Sequence, residues 1–416
     1  MTVGMFITSL RDSTVPIDDA VGWADAPEAM VRAAVAARED MPVPVLERLA
    51  DDPSESVACS VAGNRATPDA VLERLAGHAS SSVRSAAAAN PATPPPTLAH
   101  LARDTSEVPA VTLAALANPS TPIEVLIAAI AGTDPARRSR AACNPACPPA
   151  VLRRLAADSG TAHLAALNPA TPAEILAAFV RDHDVAVRRC VAANPSLSPE
   201  LRARLGRDPY PSIQRVAGEH TSDLPGSVVD ALHTMPLDFR HALAGAPAAA
   251  AVLARLAGDT SAVTAALARN RSAPADVLRT LAASPDPTTR AGVAQNPACP
   301  ASLADRLASD IHPAVRAAAA DHPRLPGTTL ARLAADPDPR VRARVVSGGD
   351  PRCDEATLRR AGADPDPKVR VAAALHARTP PDVLTALAID RNRAVRQAAA
   401  HHPALPANAN VVTRHP

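Results

Sequence analysis

Aromatic side chains are nearly missing from this chain: one Trp, one Tyr and three Phe in 416 residues. A surface that reads nucleic-acid bases stacks them on Phe, Tyr or Trp, so the scarcity counts against base recognition. It also counts against an enzyme that flips a base from the duplex, because such a pocket holds the base between aromatic groups, and Trp23 stands alone. Cysteine is scarce too. Six are scattered along the chain with no C-x-x-C pair, too few for a secreted disulfide framework. Net charge is almost nil, with 43 Lys and Arg against 42 Asp and Glu, which leaves no global field for DNA, membrane or an acidic substrate. No apolar run reaches the roughly 18 residues of a membrane span; Ile123 to Ala131 already carries Glu124. Asp12, Asp18 and Asp19 interrupt the N-terminal stretch, so it does not read as a signal peptide. There is no G-x-S-x-G, no H-E-x-x-H and no Gly-rich phosphate loop. The expectation is a non-catalytic, cytoplasmic protein with reduced thiols, without cofactor or metal, and not bound to membranes.

What is present is proline, 44 residues of it, in a chain that is 47% hydrophobic. The prolines fall into register. Asn-Pro recurs at Asn90, Asn118, Asn144, Asn168, Asn194 and Asn296, and weaker copies sit at Arg38, Asn64, His220, Ala246, Asn270, His322, Asp350, His376 and His402. These fifteen anchors are spaced by 24, 26 or 28 residues, a period that marks a solenoid and overrides a two-domain reading.

Seven residues before the anchor stands Val, as in Val57, Val83, Val187 and Val369, and three before it a second small apolar residue, as in Val61 and Val191. That spacing places both on one face of a thin, Ala-rich first helix. Asn suits its end because it tolerates the left-handed conformation. Thr-Pro then follows, as in Thr67-Pro68 and Thr121-Pro122, and reads as N-cap and first residue of a second helix. Its stripe lies at +7, +8 and +11: Val71, Leu72 and Leu75, or Val383, Leu384 and Leu387. An Asp turn closes the unit, as at Asp52-Pro53 and Asp364-Pro365. One such unit buries too little apolar surface to stand alone, so neighbours must stack. Residues 1–24 are expected to cap the array through Met5, Phe6, Ile7, Leu10 and Trp23; the array spans 25–405, and 406–416 read as a polar tail.

The string running through Val187-Arg188 to Asn194-Pro195, and through Asn64, Thr67-Pro68, Val71-Leu72 and Leu75-Ala76, resembles the leucine-rich repeat variant family over nearly the whole chain. The resemblance implies an all-α solenoid, a right-handed superhelix in which an α-helix alternates with a short helix, often 3-10. A founding member of that family holds a four-iron cluster on an N-terminal cysteine cluster. Here the first cysteine is Cys59, so no iron–sulfur site is carried over. Asp364 to Ala374 also looks like a HEAT repeat, the second family considered.

Arginine recurs six residues before the anchor, with Asp six residues earlier still in five units: Asp182 and Arg188, Asp310 and Arg316, Asp338 and Arg344, Asp364 and Arg370, Asp390 and Arg396. These read as a structural ladder in which Asp caps the first helix and Arg bridges to it. A second column stands at +10: Arg48, Arg74, Arg154, Arg204, Arg306, Arg332 and Arg360. It should lie exposed beside the Leu stripe, either as a solvated face or as a surface for an acidic protein segment. The Asn column reads as caps, and His220, His322, His376 and His402 as hydrogen-bonding replacements. Cys147, Cys299 and Cys353 share the Thr slot and read as small side chains. The atypical stretch 209–251, with Tyr210, His233, Phe239 and His241, is either a kink or a site. The functional expectation is a scaffold that binds a protein or peptide. Phosphate-backbone binding through the arginine columns is the first rival, and a HEAT-like enzyme or an iron–sulfur protein the second.

Overall fold

The computed structural model describes residues 7–10, 15–103, 108–347 and 352–405. Among them every regular element is a helix, and the architecture is an all-α solenoid. By contact density the chain divides into two compact units, Met1–Leu197 and Ser198–Pro416.

In the N-terminal unit the repeat is clearest from residue 55 to 90. The first helix, Glu55–Gly63, buries Val57, Ala58, Val61 and Ala62, and the second, Asp69–Ala76, buries Val71, Leu72, Leu75 and Ala76. Each first helix packs on the first helix of the next repeat, and Asp69–Ala76 packs mainly against Ser81–Ala89. Small residues permit this. A row of Ala and Val lets helix axes approach, and each buried Val or Leu contributes on the order of 1.5–3 kcal/mol. At the N-terminal end Leu10, Ala20 and Ala24 are buried, while Trp23 is 42% exposed; Met5, Phe6 and the tail 406–416 lie outside the described residues.

The C-terminal unit repeats the scheme from Pro211–Glu219 to Arg393–Ala400. Both helices of its repeats are α-helical. Short 3-10 turns occur at Leu232–Thr234 here and at Trp23–Asp25 in the first unit, so the alternation with a 3-10 helix implied by the family resemblance is absent from the described repeats. The atypical stretch is a packing variation. Phe239 is fully buried between two glycines. A Cβ on Gly206 would lie 2.7 Å from its ring, and one on Gly218 would lie 2.6 Å from its carbonyl oxygen. Where other repeats use Ala and Val, this one admits a Phe: Gly206 leaves room for its ring, and Gly218 lets the backbone of its helix approach.

Two turn expectations need correction. Asn64 and Asn90 end their helices in extended backbone (φ −76°, ψ 127° and φ −69°, ψ 125°), not in the left-handed region. Thr67 does not cap the helix that follows, which begins after Pro68. Its hydroxyl instead donates back to the Val61 carbonyl at 2.6 Å, a second bond on an acceptor that already takes the Asn64 amide at 3.1 Å. Thr171 and Thr379 do the same to Ala165 and Ala373.

Candidate functional site

The most regular constellation is the asparagine column. The Asn90 carboxamide is buried and donates to the carbonyls of Ala62 (2.8 Å) and Asn64 (2.7 Å) in the preceding repeat. Its Oδ1 accepts the Ala92 amide at 3.0 Å. Asn64, Asn118, Asn144 and Asn194 repeat the pattern in the first unit, and Asn270 and Asn296 in the second. Two donors and one acceptor, held in a plane, match two stacked carbonyls and one turn amide, which is why this slot takes a carboxamide. The column begins at Arg38, whose guanidinium turns to Asp40 and to the Val15 carbonyl (2.8 Å). In the 220 unit the register slips by one: His220 is exposed and Thr221 is buried, its hydroxyl on the Ala217 carbonyl.

The arginine six before the anchor sits where its spacing placed it, but its carboxylate does not. Arg316 spans 2.9 Å to the backbone carbonyl of Asp310. Its bidentate bond goes to Asp336, twenty residues ahead, at 2.6 and 2.7 Å. The same fork joins Arg32 to Asp52, Arg290 to Asp310, Arg342 to Asp364 and Arg370 to Asp390. Arg240 joins Asp259 as well. Each Asp therefore serves the arginine of the preceding repeat and, through the same carboxylate, a turn amide: two residues on for Asp52, Asp310, Asp336, Asp364 and Asp390, and on the next residue, Thr260, for Asp259. The expected pairs of Asp182 with Arg188, Asp364 with Arg370 and Asp390 with Arg396 are carbonyl contacts. Asp338 and Arg344 are not on the ladder: Arg340 holds Asp338, Arg344 holds Asp321, and the ladder runs through Asp336 and Arg342. The helix caps fall two residues later than expected, on Asp184 and Asp366.

Burial raises the Asp310, Asp336 and Asp364 carboxyls. The guanidiniums and turn amides outweigh it and hold all three below the ordinary range. The paired arginines are pushed up by the same bonds. These planar forks, four-fifths buried or more, stitch successive repeats along the Asp-turn edge.

The +10 column is exposed throughout: Arg48, Arg74, Arg154, Arg204, Arg306, Arg332 and Arg360. Arg48 and Arg74 lie 3.4 Å from Asp25 and Asp51. Arg332 leans on the Ala308 carbonyl at 3.2 Å, and the neighbouring Asp305 is engaged by the Thr329 hydroxyl at 2.5 Å. The two units differ in charge. The first carries 16 Lys and Arg against 21 Asp and Glu, the second 27 against 21. Whole-chain neutrality concealed this asymmetry.

Cys147, Cys299 and Cys353 are buried in the Thr slot, and burial pushes the first two thiols up to about 11, so they are protonated and unreactive at neutral pH. An open cleft of about 440 Å³ lies between Glu355–Gly362 and Pro381–Ala388. Its carboxylates, Glu355 and Asp382, are both bound by Arg359. Among the described residues, no His, Cys, Asp and Glu cluster is placed to hold a metal, and no helix is long and apolar enough to cross a membrane.

A leucine-rich repeat variant family model matches residues 29–54 and 313–338, and the model of a Leucine Rich Repeat Variant domain matches residues 160–219. No curated protein matches the chain. Among solved structures, a leucine-rich repeat variant with a novel repetitive structural motif is 24% identical, covering 64% of this chain and 83% of its own, with a TM-score of 0.30. An engineered protein is 19% identical over 92% of this chain and 97% of its own (TM-score 0.18). A chain from a structure of Kap95p binding to RanGDP is 12% identical over 96% and 60% (TM-score 0.24). The leucine-rich repeat variant models thus match three separate stretches of the chain, two of them in the first compact unit or across its boundary and one in the second.

Proposed function

We propose that the chain is a non-catalytic scaffold whose C-terminal unit holds an acidic segment of a protein partner. The supporting observation is the charge surplus of that unit, 27 cationic against 21 acidic residues, displayed in part as one exposed arginine per second helix at Arg306, Arg332 and Arg360. The ladder pairs cancel internally, so they contribute nothing to the surplus. Surface charge of one sign raises encounter rates and selects partners of opposite sign. The recurring polar side chains further support a structural framework: Asn and ladder Arg are spent on repeat-to-repeat bonds, and Thr on the first helix of its own repeat.

The test is affinity capture on the full chain, followed by binding of the identified partner to the R306E/R332E/R360E variant. The reading predicts loss of that partner with unchanged helicity. Retention of every partner by the variant sinks it. Retention of the wild-type chain on duplex DNA at about 150 mM salt, lost on reversal of these arginines, would replace it with phosphate-backbone binding, because such contacts weaken steeply with salt.

A further inference from the structure

Three anchors of the C-terminal unit are histidines, His322, His376 and His402, where Asn270 and Asn296 fill the same slot earlier in that unit. The exchange matters because imidazole titrates near pH 6.5, at about the pH of mildly acidic compartments, and a carboxamide does not titrate. All three rings are buried, at most 7% exposed.

At His322 both ring nitrogens are committed. The backbone N–H of Arg324 donates to Nδ1 at 3.3 Å. An amide nitrogen is only a donor, so Nδ1 carries no proton. The ring proton therefore sits on Nε2 and is donated to the Cys299 carbonyl of the preceding turn at 3.1 Å. His402 repeats the arrangement. The Ala404 N–H donates to Nδ1 at 3.1 Å, and Nε2 donates to the His376 carbonyl at 3.1 Å. At His376 the Arg378 N–H donates to Nδ1 at 3.2 Å. A second proton can enter each ring only at Nδ1, where it would meet the N–H that now donates there.

At His322 the charged surroundings also oppose protonation. Burial lowers the His322 pKa, the bond to the Cys299 carbonyl acts the other way, and the Arg324 and Arg352 guanidiniums lower it again. The Cys299 thiol, on the turn beneath, stays neutral with a pKa raised to about 11 by burial. The His402 ring rests on the turn that carries His376 and Arg378, beside His401, whose own Nδ1 lies 2.7 Å from the Gln397 carbonyl.

We propose that His322 makes its stretch of the C-terminal stack acid-sensitive, in that protonation opens the turn-to-turn contact with the Cys299 carbonyl while asparagine turns stay closed. For His322 the fold favours the neutral ring. Its contribution is complete above the ordinary histidine pKa and is lost as pH falls through the lower folded value.

The test is hydrogen exchange of the full chain between about pH 7.5 and about pH 5, with protection corrected for intrinsic exchange. Peptides from 297–325 should lose up to about tenfold in protection per pH unit, while those from 64–118 stay level. The double variant H322N/H402N installs the carboxamide used elsewhere and should remove the acid step. An acid step of the same size in that variant, or no step in the wild type, overturns the proposal. If the variant loses helicity at neutral pH, the wild-type histidine NMR titration decides: a His322 pKa below the ordinary value of about 6.5 supports the proposal and one above it overturns it.

Discussion

Replacing Asn90 by Ala tests whether the asparagine column holds the repeats together. The change removes two donations to buried carbonyls, at 2.8 and 2.7 Å, and one bond accepted from the Ala92 amide. At a net value of about 1 kcal/mol per bond, the loss is about 3 kcal/mol. Carbonyls left unsatisfied in the buried turn would increase it, and entry of water would reduce it. Asn90→Asp keeps the acceptor but turns both donors into a carboxylate facing two carbonyl oxygens, so it should cost more than Ala. Asn90→His should cost less than Asp, because the chain itself uses His in this slot at His322 and His402, with one donor and one acceptor in place. The assay is equilibrium urea unfolding followed by far-UV circular dichroism, with hydrogen exchange to show whether the loss concentrates at residues 62–118, since solenoid repeats need not unfold together. An Asp variant as stable as the Ala variant, or an Ala cost under about 0.5 kcal/mol, would refute the bonding account, because either result makes the carboxamide donors dispensable.

Arg316→Lys should destabilise the C-terminal unit by about 2–3 kcal/mol, since an ammonium cannot reproduce a fork that bonds Asp336 twice and the Asp310 carbonyl once; a thermal shift equal to that of the exposed control Arg306→Lys would contradict this. Because Asp310, Asp336 and Asp364 are held below their usual range, the ladder's contribution should be intact above about pH 4 and fade as acid reaches the lowered folded pKa values, a loss separable from any histidine step near pH 6 by its persistence in H322N/H402N. Gly218→Ala should cost about 1–3 kcal/mol, since the new methyl would meet the Phe239 carbonyl at 2.6 Å and the Ala242 Cβ at 2.8 Å; Phe239→Leu in the same chain should recover little of it, because the first clash is with backbone. Thr67→Cys should be milder than Thr67→Val in denaturant midpoint, as the slot already accepts Cys147, Cys299 and Cys353, while Val cannot donate to the Val61 carbonyl.

The repeat was legible because its signals are local. A valine seven residues before the anchor, a small residue three before it and a leucine stripe at +7, +8 and +11 each describe one face of one helix, and stacking identical units multiplies the evidence. The buried Val57, Val61, Val71, Leu72 and Leu75 follow directly from that spacing. Turn chemistry was less legible. Thr before Pro has the composition of an N-cap, yet the proline carries extended backbone (φ −63°, ψ 152°) and itself becomes the boundary residue, which leaves the hydroxyl to the helix behind. The two-residue slip at 336–346 was invisible because Asp350-Pro351 imitates the anchor, while burial of Val341 and the fork of Arg342 set the register two residues earlier.

The arginine ladder shows why a solenoid defeats pairing by sequence distance. Asp310 and Arg316 are six apart, and a helix entry reads that spacing as a local cap and its partner. In a stack the turn before one first helix lies against the first helix of the preceding repeat, so the carboxylate of Asp310 is presented to Arg290 and Arg316 reaches forward to Asp336. Only the backbone carbonyl of Asp310 remains for Arg316. The short spacing thus fixes where the guanidinium is anchored, and the repeat length selects which acid it binds. Among the described residues the ladder stops at Arg396, which makes carbonyl contacts to Asp390 and Arg391. Arg396→Ala should consequently cost far less than Arg370→Ala, which strips the partly buried Asp390 of its cation and forfeits on the order of 1.5–3 kcal/mol. Equal costs at the two positions would mean that the carbonyl contacts, not the inter-repeat carboxylates, carry the ladder.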